Sequence, residues 1–188
     1  MTASTLLRSS RRASGVTQGA LAARSHISQP NVSSIESGKR IPTVETLERL
    51  LRQMGHRLIA VSASGVDATE TAERIATATS HASALRAFLD FSDSLARATD
   101  IDRILLTASE PPTTADHFWD AALAALVDHR LSVASSPKPA WINSPLRTLA
   151  SPLSSHLGDY DLAPDIANVP EEFLRRNVLL ERATLESV

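Results

Sequence analysis

The 188-residue sequence contains no cysteine, which excludes disulfides and thiolate metal sites. It has no run of about 20 apolar residues that could span a bilayer. Its N-terminus also lacks the apolar stretch of a signal peptide, so a soluble, cytoplasmic protein is expected. There is no HExxH pair, Gly-rich phosphate loop or GxSxG elbow, the usual short signatures of metal-dependent, nucleotide-binding or acyl-transfer chemistry. Acid is scarce in one region. Residues 1–60 hold three acidic side chains, Glu36, Glu45 and Glu48, against nine Lys/Arg. The remainder holds ten basic and eighteen acidic residues, so the net charge of −2 hides a basic first third on an acidic body. That asymmetry points to a polyanion-binding module joined to a part that does not bind polyanions, with a merely solvated basic face as the alternative.

The hydrophobic content is 43%, enough for one or two small domains with real cores. The first segment, "STLLRSSRRASG", places Leu6 and Leu7 ahead of Ala13 and ends at Gly15, a helix C-cap residue. In "VTQGALAARSHIS", Thr17 is an N-cap candidate, with Leu21 and Ala22 as a small apolar face. Ser28 can cap the next helix, with Pro30 in its first turn, where the missing N–H costs little. Val32 and Ile35, spaced i, i+3, face inward and Gly38 stops that helix. Thr43 then caps "VETLERLLRQMG", which carries Val44, Leu47, Leu50, Leu51 and Met54 at helical spacing before Gly55. Four short helices with brief turns make a compact all-α bundle.

"SQPNVSSIESGKR" (residues 28–40) is polar apart from Val32 and Ile35. A short helix that buries one thin stripe and offers its polar face outward fits this pattern. Preceded by another short helix and a tight turn, it has the order of a helix-turn-helix. Ala22 and Ala23 are small enough for the helix crossing. Gln29, Asn31, Ser33 and Ser34 supply hydrogen-bonding groups for base edges. Lys39 and Arg40, just beyond the helix, are placed to clamp phosphates. Thr17, Ser28 and Thr43, at the helix starts, complete the candidate phosphate contacts.

The stretch "VTQGALAARSHISQPNVSSIESGKRIPTVETLERLLRQMG" resembles the lambda-repressor-like (Cro/XRE) helix-turn-helix family, over roughly residues 4–56. The resemblance implies that Gln18 contacts a phosphate and braces Gln29, and that Gln29 reaches bases. Pro30 and Ser34 fall at other base-facing positions, and Asn31 falls near the backbone or a base edge. It also implies a structural ion pair between Arg11 and Glu36. Three residues depart from the family pattern. His26 replaces the usual turn glycine, Gly19 replaces a better helix former, and Pro30 has no donor for a base.

"HRLIAVSAS" is too short for a helix, and Leu58, Ile59 and Val61 are β-capable. A lone strand needs a partner, so residues Arg57, Leu58, Ile59, Ala60 and Val61 are the candidate dimer strand, pairing across chains. A strand or turn packed on its own domain is the alternative. Residues 62–69 read as a linker.

The segment from Thr69 to about Ser109 is helical in pattern. Leu85, Phe88, Leu89, Ser92, Leu95 and Ala96 form one stripe, continued by Ile101, Ile104, Leu105 and Ala108. After "EPPTT", a second helix carries Phe118, Ala122, Leu126 and His129 on one face, with His129 as a C-terminal cap. His117 with Asp116 and Asp120, or the residues of "SSHLGDYD", can be drawn into a metal or triad scheme, but exposed polar residues around turns explain them better. Trp141 pins a Pro-interrupted loop, and the tail from Pro170 reads as a short helix or a helix plus strand, with "NVLL" ambiguous. This C-terminal part is similar to that of actinobacterial regulators encoded beside toxin genes. The similarity implies a protein-binding or dimer-supporting domain.

The expected protein is mainly α. A four- to five-helix DNA-binding domain (1–56) leads through a short strand and linker (57–69) to a mostly helical C-terminal domain (70–188). The expected function is a homodimeric, sequence-specific repressor of double-stranded operator DNA. It would also be an autoregulating antitoxin that binds a cognate toxin, without cofactor, metal or catalysis. The alternative is a ligand-responsive repressor whose C-terminal domain senses a small molecule.

Overall fold

A computed structural model describes residues 2–60, 64–155 and 164–186. The chain divides into two compact units, Met1–Ser62 and Ala63–Val188.

The first unit holds α1 (Ala3–Ala13), α2 (Gln18–Ser25), α3 (Gln29–Glu36) and α4 (Val44–Arg52). Thr2, Thr17 and Thr43 each cap a helix, their hydroxyls accepting from the N–H of Thr5, Ala20 and Thr46. Each such cap is worth about 1 kcal/mol. Ser28 occupies the same position before α3 but makes no side-chain cap bond. The core joins Leu7, Leu21, Ala22, Val32, Ile35, Leu47, Leu50 and Leu51, with Leu6, Ile27 and Met54 packed at its edge. Two expected inward residues lie outside it. Val44 is 69% exposed beside the 89%-exposed Ile41, and Ala23 is exposed. The buried face of α4 is a narrow stripe of Leu47, Leu50 and Leu51, and Val44, at the first helical position, falls off it.

Beyond α4, residues 57–60 join no ladder among the described residues. Leu58 and Ile59 are 39% and 73% exposed. Val61, the last residue of the expected strand, lies outside the described residues.

The second unit comprises α5 (Ala68–Ala76), α6 (His81–Arg97), α7 (Asp100–Thr107), α8 (His117–Val133), α9 (Glu171–Leu174) and α10 (Arg182–Leu185), with short 3-10 turns between α8 and α9. The single helical stretch expected across residues 69–109 is three helices, because Asp67, Ser80 and Thr99 each cap a new start. The N-terminal half of α5 lies inside the fold, with Ala68 and Thr69 buried. The tail is a helix followed by a strand: β2 (Val178–Leu179) pairs in parallel with β1 (Leu153–Ser154).

α8 is the central post. Every residue from Phe118 to Asp128 is buried, the signature of a helix enclosed on all sides. One apolar face was expected, and the run of alanines and leucines instead packs all round. Asp128, inside this helix, receives Lys138 Nζ at 2.6 Å and Arg176 Nη1 at 2.8 Å. Arg176 also donates to the carbonyls of Glu172 and Ile142, tying the tail to the post. Trp141 pins its loop as expected, donating Nε1–H to the Thr107 carbonyl at 2.8 Å. The buried Arg147 guanidinium stacks over its ring at 4.9 Å.

Three expectations in this unit are corrected. His129 does not cap α8; its Nδ1 meets Glu172 Oε2 at 3.0 Å, linking α8 to α9. Ala96 is exposed while Phe91 is buried. Ile101 and Ile104 are 69% and 38% exposed, and α7 turns Leu106 and Thr107 inward instead. The break at Ala98–Thr99 rotates the stripe, so the spacing of α6 cannot be carried into α7.

Candidate nucleic-acid interface

The candidate interface is built on α2, the turn after it, and α3. Leu21 and Ala22 of α2 meet Val32 and Ile35 of α3 in the core. The turn is closed by His26, whose backbone is left-handed at φ 54° and ψ 39°. The N–H of Ile27 returns to the Ala22 carbonyl at 3.1 Å, completing the helix end. A side chain in this conformation costs more than glycine would, and His is among the residues that tolerate it.

A buried clamp fixes the orientation of α3. Glu36 is 5% exposed at the end of that helix. Arg11 of α1 donates to it twice, Nε to Oε1 at 2.6 Å and Nη2 to Oε2 at 3.0 Å. Gln18, at the start of α2, adds a third bond at 2.8 Å. Arg11 Nη1 also holds the Val16 carbonyl at 2.8 Å. Burial alone would raise the Glu36 pKa, but the bonds from Arg11 and Gln18, with the nearby charges of Arg11 and Arg8, outweigh it and hold the carboxyl below its ordinary value. The Arg11 pKa is raised by the same bond. The expected Arg11–Glu36 pair is therefore present, and the Gln18 amide N–H is turned to Glu36.

With Val32, Ile35 and Glu36 turned inward, α3 presents the remaining residues outward. Gln29, Pro30 and Ser33 are exposed; Asn31 and Ser34 are half-buried. Gly19 lies next to Gln29, where an added Cβ would stand 4.0 Å from Gln29 Oε1. Gly38, at φ 75°, turns the chain out of α3. The N–H of Arg40 then returns to the Ser34 carbonyl at 3.0 Å, anchoring the loop on the helix. Lys39 and Arg40 are both exposed. Arg40 Nη1 donates to Asn31 Oδ1 at 3.1 Å. A guanidinium has five N–H donors, so this bond leaves capacity for a phosphate. The Thr17 hydroxyl accepts from its own helix and can still donate outward, whereas the Thr43 hydroxyl accepts from the Thr46 N–H and also bonds the Thr46 hydroxyl at 2.9 Å. Ser28 spends no hydroxyl on its helix. The Gln18–Glu36 and Asn31–Arg40 bonds escaped the sequence reading because they join residues across turns, at separations that no helical period marks.

Residues 3–56 match the family model of the helix-turn-helix domain. The N-terminal unit is a helix-turn-helix domain. That domain is the DNA-binding part of a transcription regulator. No curated protein and no solved structure matches the chain. In the helix-turn-helix domain α2 and α3 are the paired helices, and the loop at Lys39–Arg40 flanks the outer face of α3. Among the described residues no helix is long and apolar enough to cross a membrane. His117, Asp116 and Asp120 do not assemble into a metal site. Asp116 caps α8 through the Phe118 N–H at 2.9 Å, and Asp120 accepts from the Thr114 N–H at 2.8 Å. Most of "SSHLGDYD" lies outside the described residues.

Proposed function

We propose that the protein is a homodimeric repressor that reads its own operator through α3 and holds a partner protein, a cognate toxin, with its acidic C-terminal unit. The observation that carries the reading is the division of α3. An inner face is locked by Glu36, while an outer face of Gln29, Pro30 and Ser33 is set beside Lys39 and Arg40. One such module covers few base pairs, and two on a two-fold axis reach half-sites about one helical turn apart. The contact between copies is assigned to residues 57–61. The exposure of Leu58 and Ile59 supports it, as does the lack of a ladder partner among the described residues.

The toxin-binding part rests on the similarity to regulators encoded beside toxin genes. It is supported by the solvent-facing Ile101 and Ile104 of α7, an apolar face more suited to a protein than to a small ligand. Catalysis is not part of the proposal. The buried carboxylates of the second unit serve its own backbone, arginines, lysine and histidine.

The decisive experiment is a titration of the full-length protein on the DNA upstream of its own gene, at two salt concentrations, against a scrambled duplex. Preferential binding with two-fold-symmetric protection is the expected result. Equal, weak binding to both duplexes overturns the autorepressor. Co-expression with the neighbouring gene's product, followed by co-purification, tests the partner.

A further inference from the structure

The Arg40–Asn31 bond has a chemical direction. A guanidinium only donates, so the atom of Asn31 that faces Arg40 at 3.1 Å is the amide oxygen. Arg40 is itself held, its N–H bonded to the Ser34 carbonyl of the same helix. The Asn31 side chain is thus fixed at both ends: by its own backbone on α3 and by a loop cation anchored to that helix. Its NH2 group is left as the end available to a ligand.

Building on the reading of this unit as a duplex-DNA binder, we propose that Arg40 is a positioning residue that biases Asn31 from adenine toward guanine by turning its amide N–H donors to the ligand. Free asparagine pairs with adenine by accepting from N6 and donating to N7, and it needs both ends of the amide to do so. With one lone pair of the oxygen held by Arg40 and the amide fixed in that orientation, the N–H donors are the end it turns to a ligand. In the major groove guanine presents two adjacent acceptors, N7 and O6, and no donor at that edge. Adenine presents only one acceptor, N7, to those donors beside its own N6 amine, so the fixed amide suits it less well than guanine. Among the described residues no cation bonds the Gln29 amide, and its oxygen lies beside Gly19. The two amides of the reading helix therefore carry different chemistry despite their shared functional group.

The test is selection of binding sites from a randomised duplex library by the full-length protein and three variants, followed by titration on duplexes that differ at one base pair. Asn31→Ala locates the base pair that Asn31 reads, as the position whose preference disappears. At that pair the wild-type protein prefers guanine over adenine by about tenfold, the scale of one good base contact. Arg40→Ala releases the amide and brings adenine to within about twofold of guanine there, leaving the other positions unchanged. Asn31→Asp keeps a partner for Arg40 but has no donor, and shifts the preference to cytosine, whose N4 amine donates. Both side chains lie outside the core, and an unchanged thermal melt of each variant confirms folding. An Arg40→Ala variant that weakens all duplexes alike, with the base preference intact, makes Arg40 a phosphate contact only and overturns the inference. So does an Asn31→Ala variant that selects the wild-type site. A wild-type protein with no preference among duplexes is a separate result: it overturns the DNA reading and the inference with it.

Discussion

Arg11 and Gln18 converge on one carboxylate, that of Glu36, 25 and 18 residues further along the chain. Three helices are joined at this point, and the last of them carries the proposed reading face. Removing one member leaves a buried charge or donor without its partner, at about 3 kcal/mol for a pair of this kind. Arg11→Ala is therefore expected to destabilise the first unit by that order and to weaken DNA binding through loss of the fold. Urea unfolding of the variant checks the first effect. Arg11→Met with Glu36→Leu, which removes both charges, is expected to cost less than either single change.

The same clamp gives a pH dependence with a defined sign. Glu36 has a folded pKa below its ordinary value, against the opposing effect of burial. Its contribution is fully present above the unfolded carboxyl pKa of about 4.3 and is lost as pH falls through the folded value. Asp128 and Glu172 of the second unit are also lowered. Burial is outweighed by Lys138 and Arg176 at Asp128, and at Glu172 by hydrogen bonds from backbone and side chains, His129 among them. Melting temperature should hold from neutral pH down to about 5 and then fall steeply. Glu36→Gln is expected to lower stability at neutral pH and flatten the acid limb of the first unit. A melting curve as steep in acid as that of the wild type would show that another group controls it.

His26 holds a left-handed turn that glycine occupies without strain. His26→Gly is expected to stabilise the domain by about 0.5–1 kcal/mol, the left-handed penalty less the extra chain entropy of glycine. Gly19→Ala should act in the same direction by up to about 1 kcal/mol, because the new methyl meets only Gln29 Oε1 at 4.0 Å. Thermal melts of the two single variants measure both effects.

On the reading face, Gln29→Ala is expected to lose about 1–3 kcal/mol of specific binding while leaving nonspecific affinity unchanged. Lys39→Ala should weaken all duplexes alike and reduce the salt slope by about 1. Both side chains are exposed, so neither change should alter the melting temperature by more than a degree or two. Titrations at several salt concentrations separate the two outcomes.

The first unit was largely legible in the sequence because its signals are local. Thr17 and Thr43 cap in place, Pro30 falls in a first turn, and Gly38 and Gly55 end their helices. The second unit was less legible for two physical reasons. α8 is apolar on every side, so Phe118, Ala122 and Leu126 could not mark one inner face when the whole helix is enclosed. The cap at Thr99 resets the helical phase, so a stripe read continuously from Leu85 to Ala108 assigned Ile101 and Ile104 to the wrong side. The two-residue strands pair Leu153 with Val178 and Ser154 with Leu179, a match set by tertiary packing and invisible to any local period. At the interface itself, residue types gave the outward face of α3, but the bonds across the turns needed coordinates.

The division of α3 into an inner set and an outer set has an evolutionary consequence. Val32, Ile35 and Glu36 are buried and serve the fold, whereas Gln29 and Ser33, with Lys39 just beyond the helix, are exposed and, in the proposed function, serve the ligand. Substitutions on the outer set can therefore accumulate with little loss of stability, and a changed operator can be followed by a changed reader in single steps. A duplicated gene could acquire a new target while keeping the original scaffold intact.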